Sequence, residues 1–347
     1  MVSGAGEGKT QSTRSDATFG ADWIGLSDHE MSSGTDILER GALVMELSLP
    51  LGPAGVLLDH RTQAGWPRTF SIFHDLGAGL MILHRQGKSL ARHVLPGPLP
   101  DGPGTARLTF GWDAPARRWD LTLEVLGTDD SMGVQGRNPL PLLAEDVASL
   151  CRGRDVQRHP AVLWFGVTQG GALPVPRPWI GLATPVPTPN GFTAAGDLRP
   201  GDRVETLDNG AVPVLAVHKM VIPSRGSFAP VLLRAPFFAA RHDLLVAADQ
   251  LVRISGPEVE YLFGDEEILL PASTLIDGQT ALRDTRRAVA VGVSIGLGLA
   301  ELVSADGCIL STERPAGTTL PRPLLEGYET VPLMALLAWK GRRGLRA

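Results

Sequence analysis

Residues 105–125, TARLTFGWDAPARRWDLTLEV, alternate between apolar and polar side chains on both sides of a short turn. The apolar positions are Ala106, Leu108, Phe110 and Trp112 before the turn, and Trp119, Leu121, Leu123 and Val125 after it. A period of two gives each strand one buried and one solvated face, so this stretch predicts an antiparallel hairpin. Strand-like segments at 70–75, 79–85 and 162–170 extend the pattern and favour an antiparallel β-sandwich. One helix is predicted, over 138–151.

The bulk composition sets the number of domains and the class of partner. A chain of 347 residues is too long for one ordinary hydrophobic core, so we expect two domains. The 41 glycines and 28 prolines suit short strands joined by many turns. A net charge of −5 gives no general attraction to nucleic acid or to an anionic membrane. We therefore expect no nucleic-acid partner.

The proline-rich stretch GGALPVPRPW, ending at residue 179, divides the chain. Beyond it, Asn-Gly and Asp-Gly pairs supply tight hairpin turns, so the second half is also expected to be mostly β. We predict a disordered tail at 1–35, a β-sandwich at 36–170, a linker at 171–179, a second all-β domain at 180–318, and a C-terminal helix with a basic tail at 319–347. That helix is expected to pack on the second domain; the alternative is docking to a partner or a membrane surface.

Targeting signals and metal motifs are not evident. The N-terminal residues have no apolar core after a basic flank, so we expect no signal peptide, and either a cytoplasmic location or non-classical export. The longest uncharged apolar run, 288–300, is too short to span a bilayer. Cys151 and Cys308 lie in no metal-binding spacing, and neither metal nor cofactor is predicted.

The second half carries an ordered set of motifs: TPNG (188–191), LRPGDRVETLDNG (198–210), LLVAADQLVRI (244–254), EYLFGDEEILLPASTLIDG (260–278) and ELVSADGCILSTERPAG (301–317). In this order they resemble the Hint (hedgehog/intein) fold, and more narrowly the bacterial Hint-domain proteins in which a β-sandwich-like region precedes that fold. The resemblance covers residues 177–318. It implies a domain whose active members cut their own chain.

The resemblance also implies where the chemistry should lie. In active members a thiol or hydroxyl attacks the preceding carbonyl, and a histidine assists. The nucleophile position falls on Trp179, which cannot attack a carbonyl. The motif VSPxHRV reads VAADQLV here, with Ala247, Ala248 and Gln250 at the Ser, Pro and His positions. A later histidine position is Ala300.

Three changes from reactive to inert residue types predict a degenerate Hint domain that has lost self-processing, with no catalytic residue. The alternative is an autoprocessing protein with an unusual nucleophile. In that case Thr184, the nearest hydroxyl, or Cys308 would act, with His218 or His242 as the acid. Without that role, Cys308 is expected to be a small buried residue and His242 an exposed loop residue.

The first half is expected to bind a protein or a glycan partner, and a concanavalin A-like lectin sandwich is the first hypothesis. Trp66, His74, Asp75 and Trp112 are of types found in sugar sites, although the tryptophans are also expected in a core or hairpin. A hydrolase interpretation of this half finds no supporting motif. Unless the sheet brings His74, His84 and His93 together, the histidines of this half, His60 included, are expected at the surface.

Overall fold

The computed structural model describes residues 19, 23–29, 36–63, 65–153, 156–170, 173, 177–325 and 327–335. Within these residues the fold is mostly β, and every strand pair inside its sheets is antiparallel. Of the helices in the described residues, none is long and apolar enough to cross a membrane.

The first domain is a β-sandwich. Its strands are β1 (Trp23–Leu26), β2 (Ile37–Leu38), β3 (Arg40–Leu49), β4 (Gly55–Thr62), β5 (Arg68–Asp75), β6 (Gly79–Gln86), β7 (Ser89–Pro96), β8 (Gly104–Asp113), β9 (Arg118–Val125), β10 (Ser131–Arg137), β11 (Leu142–Leu143), β12 (Val156–Arg158) and β13 (Val162–Thr168), with helix α1 (Ala144–Arg152) after β11. In the described residues one sheet has the order β1-β13-β3-β8-β9-β10 and the other β12-β4-β5-β6-β7, while β2 pairs with β11.

The predicted hairpin is confirmed and supplies part of the sandwich core. Strands β8 and β9 pair from Ala106 opposite Val125 to Asp113 opposite Arg118. Alternate β9 residues are buried, as a period of two requires. The two sheets share one apolar cluster; for example, the rings of Phe70 on β5 and Phe110 on β8 lie 6.4 Å apart between centroids.

Strands β3 and β13 are buried on both faces. Residues 42–47 of β3 are all buried, as are residues 164–168 of β13. An outer strand face of a sandwich is normally wet, so two-sided burial means that something covers it. The cover is the second domain, whose 3₁₀ turn Gly226–Phe228 contacts β3.

The second domain consists of two twisted sheets and a small hairpin. Its strands are β14 (Ile180–Gly181), β15 (Pro185–Thr188), β16 (Gly191–Ala194), β17 (Arg203–Thr206), β18 (Gly210–Pro213), β19 (Ala216–Pro223), β20 (Val231–Leu233), β21 (Leu244–Val246), β22 (Leu251–Ser255), β23 (Glu267–Pro271), β24 (Ala281–Arg283), β25 (Val289–Gly296), β26 (Leu302–Ala305) and β27 (Cys308–Ser311), with helix α2 (Pro257–Phe263) after β22. In the described residues the sheet orders are β19-β25-β14-β21-β20-β24 and β18-β17-β26-β27-β22-β23, and β15 pairs with β16.

The end of the described chain packs back on the second domain. Leu269 on β23 donates its backbone N–H to Pro323 and accepts one from Leu325. Residues 330–335 are helical, and Leu333 belongs to the core of the second domain. The described part of the predicted C-terminal segment is helical over 330–335, so a helix over 319–347 stays a prediction, and the predicted basic tail lies outside the described residues.

The predicted tail at 1–35 is wrong for residues 23–26. These residues form β1, which pairs with β13 at the edge of the first sheet, because Trp23 and Leu26 find apolar partners that a local sequence pattern does not display. Phe19 is also buried, and residues 1–18 lie outside the described residues. The other limits, 36–170 for the sandwich and 180–318 for the second domain, stay predictions.

Candidate functional site

Trp179 lies immediately before β14, a short strand in the middle of its sheet. Ile180 of β14 pairs with both Val246 on β21 and Val293 on β25. The Trp179 carbonyl accepts a hydrogen bond from the backbone N–H of Ala247 at 3.0 Å. The position implied for the nucleophile is therefore held at the centre of the domain by backbone hydrogen bonds on its C-terminal side. We call the space around this residue the Trp179 cleft.

The Trp179 side chain is buried, although the sequence placed it at the end of a linker. It is 4% exposed. It belongs to an apolar cluster that includes residues of both domains: Phe19, Trp23, Leu26, Val44 and Trp164 from the first, and Met220, Ile222, Ala247 and Ala290 from the second. In this cluster Phe228 forms edge-to-face ring contacts with Phe19 and Trp164, at 5.3 and 5.5 Å between centroids. Trp179 thus contributes to the interface between the domains.

A polar contact accompanies this apolar cluster. Glu46 on β3 is fully buried. Its carboxylate accepts hydrogen bonds from the Ser227 backbone N–H at 2.7 Å, the Ser227 hydroxyl at 2.6 Å and the Arg107 guanidinium at 2.9 Å. Because a buried carboxylate needs such donors, this arrangement fixes the position of the 3₁₀ turn on the sandwich. No local pattern in the sequence predicts this contact.

Gln250, at the position implied for the assisting histidine, is a structural residue in its contacts. It is 1% exposed, and its amide Nε2 donates to the backbone carbonyls of Ser311 at 2.8 Å and Leu251 at 3.2 Å. The space bounded by Trp179, Gln250 and Ser311 is about 10 Å³, which is at the lower limit for one water molecule. The side chains of Trp179 and Gln250 therefore leave no room for a peptide between them.

A larger cavity opens on the other side of Trp179. It has a volume of about 610 Å³ and is lined by Trp179, Phe228, Asp249 and Ser273, among others. Burial raises the pKa of the Asp249 carboxyl above its usual value. In the described residues no hydroxyl or imidazole is hydrogen-bonded to this carboxyl, so the structure pairs it with no nucleophile. Asp249 occupies the variable position of the VSPxHRV motif, which is why sequence comparison passed over it.

The two alternative nucleophiles lack the partners that activation requires. Thr184 is buried and its backbone is held by Gly181 and Ala195, whereas its hydroxyl makes no hydrogen bond with the described residues. Cys308 is fully buried in β27, and burial raises the pKa of its thiol to about 12. A thiol in that state is protonated near neutral pH and is a poor nucleophile.

The two alternative acids are directed to carboxylates. His218 Nε2 lies 3.8 Å from Glu313, which also accepts a hydrogen bond from Arg177 at 3.1 Å. The His242 side chain is 82% exposed, as predicted, and its Nδ1 lies 2.9 Å from Asp306. Both rings thus have a carboxylate as a partner.

Ala300, the third implied position, is buried next to a second polar contact. The neighbouring Glu301 accepts hydrogen bonds from the Asn209 side-chain amide at 2.9 and 3.1 Å. Asn209 lies in the DNG turn, so this contact joins that turn to the residue immediately before β26. The residues around Ala300 therefore hold the fold together, and the proton-transfer role of a histidine has no counterpart at this position.

The four sugar-type residues of the sandwich do not converge. Trp66 and Asp75 are exposed, but His74 and Trp112 are buried, and the Trp112 indole N–H donates to the Leu38 carbonyl at 2.8 Å. The expectation of surface histidines is wrong: the rings of His60, His74, His84 and His93 are all buried. Each lies an even number of residues from apolar neighbours on its strand, as His74 does from Ile72, and therefore points to the same face. This spacing could have predicted their burial.

Comparison with known proteins supports the assignment of the second domain. Residues 182–315 match the family model described as "Hint domain". No curated protein matches the chain significantly. The MchDnaB-1 intein is a similar solved structure, at 17% identity, a TM-score of 0.26, and coverage of 38% of this chain and 98% of that chain.

The LG1-3 region of the laminin alpha2 chain is another, at 9% identity, a TM-score of 0.26, and coverage of 85% of this chain and 56% of that chain. The match to the family model, on the motifs and the all-β architecture described above, is the finding that identifies the second domain. Residues 182–315 therefore form a Hint domain, which follows an N-terminal β-sandwich in this protein.

Proposed function

We propose that this protein is a non-catalytic two-domain protein, in which a Hint domain that does not process its own chain serves as a fixed support for a β-sandwich binding domain. The observation that carries this proposal is the burial of Trp179 in the cluster shared by both domains. A residue at the nucleophile position that packs the interface cannot form the covalent intermediate of self-processing.

Three observations support the loss of self-processing. The Gln250 side-chain amide donates to backbone carbonyls, and the space beside it is too small for a peptide. The Thr184 hydroxyl has no described partner that could remove its proton. The Cys308 thiol has a pKa raised to about 12. Each alternative route to an acyl shift therefore lacks a nucleophile in its reactive form.

The interface supports the scaffold role. The Glu46 carboxylate and the cluster around Trp164 join the sandwich to the Hint domain through both polar and apolar contacts. A binding domain held in this way presents its ligand surface in a fixed orientation. The ligand expected from the sequence, a protein or a glycan, would be bound by the sandwich.

The intact mass of freshly purified full-length protein tests the proposal. The protein would be incubated with and without dithiothreitol or hydroxylamine, which cleave thioesters and esters. We expect a single species at 36.8 kDa in all samples. Fragments divided near residues 178–184 would overturn the proposal.

Variants would then identify the nucleophile if cleavage occurred. Thr184→Val removes the hydroxyl while keeping the side-chain shape, and Cys308→Ala removes the thiol. Loss of cleavage in one variant alone would establish the autoprocessing alternative and name its nucleophile.

A further inference from the structure

An open cavity of about 820 Å³ lies at one end of the sandwich, where β9 and β10 pair. It is lined by Arg117, Arg118, Trp119, Asp120, Gln135, Gly136, Arg137 and Asn138, together with Ala116, and we call it the arginine cleft. The strand register places Arg118 directly opposite Arg137, and Asp120 directly opposite Gln135. Since β10 is the last described strand of its sheet, the cleft opens at the sheet edge.

The charges in the arginine cleft are not balanced. Like charges directly opposite each other on paired strands destabilise a sheet, and Arg118 and Arg137 occupy such positions. In the described residues neither of them, nor Arg117, forms an ion pair. Asp113, on the other side of Arg118, is hydrogen-bonded by Arg40 at 3.2 Å and by the Ala116 N–H at 2.8 Å. Asp113 also attracts Arg118 electrostatically, and Asp120 is the acidic residue in the described lining of the cleft, beside the three arginines.

The backbone of Arg117 gives a second, independent indication. Its φ is 55°, in the left-handed region where a glycine is free of strain and a long side chain is not. Its carbonyl accepts a hydrogen bond from the N–H of Asn138, which also has a left-handed φ of 60°. A strained residue whose charge is unpaired suggests that the side chain is retained for binding.

The remaining surfaces of the cleft suit a sugar. The Trp119 ring fills the space that a side chain at Gly136 would occupy and is largely covered. The exposed face of the two strands, by contrast, carries Arg118, Asp120, Gln135 and Arg137. Exposed side chains of Asp120, Gln135 and Asn138 supply acceptors and donors for hydroxyl groups. Arginine guanidinium groups bind sulfate and carboxylate through paired hydrogen bonds.

We propose that the arginine cleft binds an acidic carbohydrate, a sugar chain that carries sulfate or carboxylate groups. Single-stranded nucleic acid is disfavoured because the described cleft has no exposed aromatic face on which bases could stack. This proposal does not depend on whether the Hint domain cuts its own chain. Intact mass tests self-processing, and sugar binding tests the arginine cleft.

Calorimetric titration of the full-length protein at low ionic strength tests the site. The probes are a heparin hexasaccharide, which carries sulfate and carboxylate, a hyaluronan hexasaccharide, which carries carboxylate alone, and neutral maltohexaose. We expect one or both acidic sugars to bind, and the tighter one to identify the anionic group. Binding of neither acidic sugar, or equal binding of maltohexaose, overturns the proposal.

Matched variants locate the site. Arg118→Gln with Arg137→Gln should weaken binding at least about tenfold, because two charge-assisted contacts are lost. The control is Arg85→Gln with Arg92→Gln, which removes the same charge from exposed arginines on β6 and β7, and it should change binding less than about twofold. Equal weakening by both pairs would mean unspecific charge attraction and would overturn the proposal.

Arg117→Gly addresses the strained residue. It should fold at least as well as the parent, since glycine prefers this backbone conformation, yet bind the acidic sugar more weakly. Undiminished binding would remove Arg117 from the site. A single-stranded DNA probe that binds through Arg118 and Arg137 as tightly as the acidic sugars would also contradict a carbohydrate site.

Discussion

The indole ring of Trp179 occupies the space in front of Gly292 on β25, so that a Cβ at residue 292 would overlap ring atom Cε3. Trp179 stands at the nucleophile position implied by the Hint resemblance. Gly292 is the strand partner of Gly181, which follows Trp179 by two residues. A large ring at this position needs a neighbour without a side chain. The two residues therefore form a packing pair at the centre of the Trp179 cleft.

Gly292→Ala should destabilise the protein by about 1–3 kcal/mol, the usual effect of adding a methyl group to a packed interior. Gly296→Ala on the same strand is the control, because its Cβ would meet its neighbours only at ordinary contact distances of 3.4 Å and more. Urea unfolding measures both. In a Trp179→Ala background, Gly292→Ala should cost less, and equal costs in both backgrounds would contradict the pairing.

Gln250→Met should destabilise the protein by about 1–3 kcal/mol without causing cleavage of the chain. Methionine keeps the length of the side chain but leaves the buried carbonyls of Ser311 and Leu251 without their Nε2 donor. Gln157→Met is the control, since Gln157 is exposed and its change should stay within about 0.5 kcal/mol. Urea unfolding of the two variants decides the point: equal stabilities would show that the Gln250 contacts contribute nothing.

Local patterns were sufficient for much of the fold. The alternation in 105–125 predicted β8 and β9 because each strand has one wet face and its partner is the next segment of the chain. The motif order predicted the Hint domain because its turns are encoded by short glycine-containing segments. Both depend on residues close in the chain.

Contacts between the domains could not be predicted in the same way. The Gly226–Phe228 turn helps to bury the outer face of strand β3, and the two lie far apart in the chain. The same holds for Trp179, whose neighbours in the apolar cluster include Trp23 and Trp164. No periodicity within one segment shows which distant surface will cover it.

Glu46→Gln should cost about 3 kcal/mol, because it removes the charge that Arg107 and Ser227 contact in the buried interface. Glu124→Gln provides a matched control. Its carboxylate pairs with the same Arg107 at 3.0 Å, but its side chain is half exposed, so its loss should cost less than about 1 kcal/mol. Urea unfolding of the full-length protein compares them. Similar costs for both changes would show that the Glu46 contact does not hold the domains together.

Stability should fall as the pH is lowered from about 6.5 to about 4, because of two buried histidines in the sandwich. Burial lowers the pKa of His84 and of His93 from 6.5 to about 4, and repulsion from His93 contributes for His84. Between these pH values the unfolded chain takes up protons that the folded chain excludes. Above pH 6.5 the titration of these histidines therefore does not change the free energy of unfolding. By pH 4 each of them lowers that free energy by about 3 kcal/mol.

Urea unfolding of the parent and of His93→Leu across this pH range checks the effect. His93 packs between the rings of Phe110 and Trp119, at 4.8 and 4.6 Å between centroids, so leucine removes the titrating group while remaining apolar. The variant should lose part of the pH dependence whatever its stability at neutral pH. The part that remains should come mainly from His84, from His74, whose pKa burial also lowers, and from Asp146, whose lowered pKa makes it lose stabilisation in acid as well. An unchanged slope between pH 6.5 and 4 would mean that His93 titrates normally in the folded protein, and its burial would then have no effect on its charge.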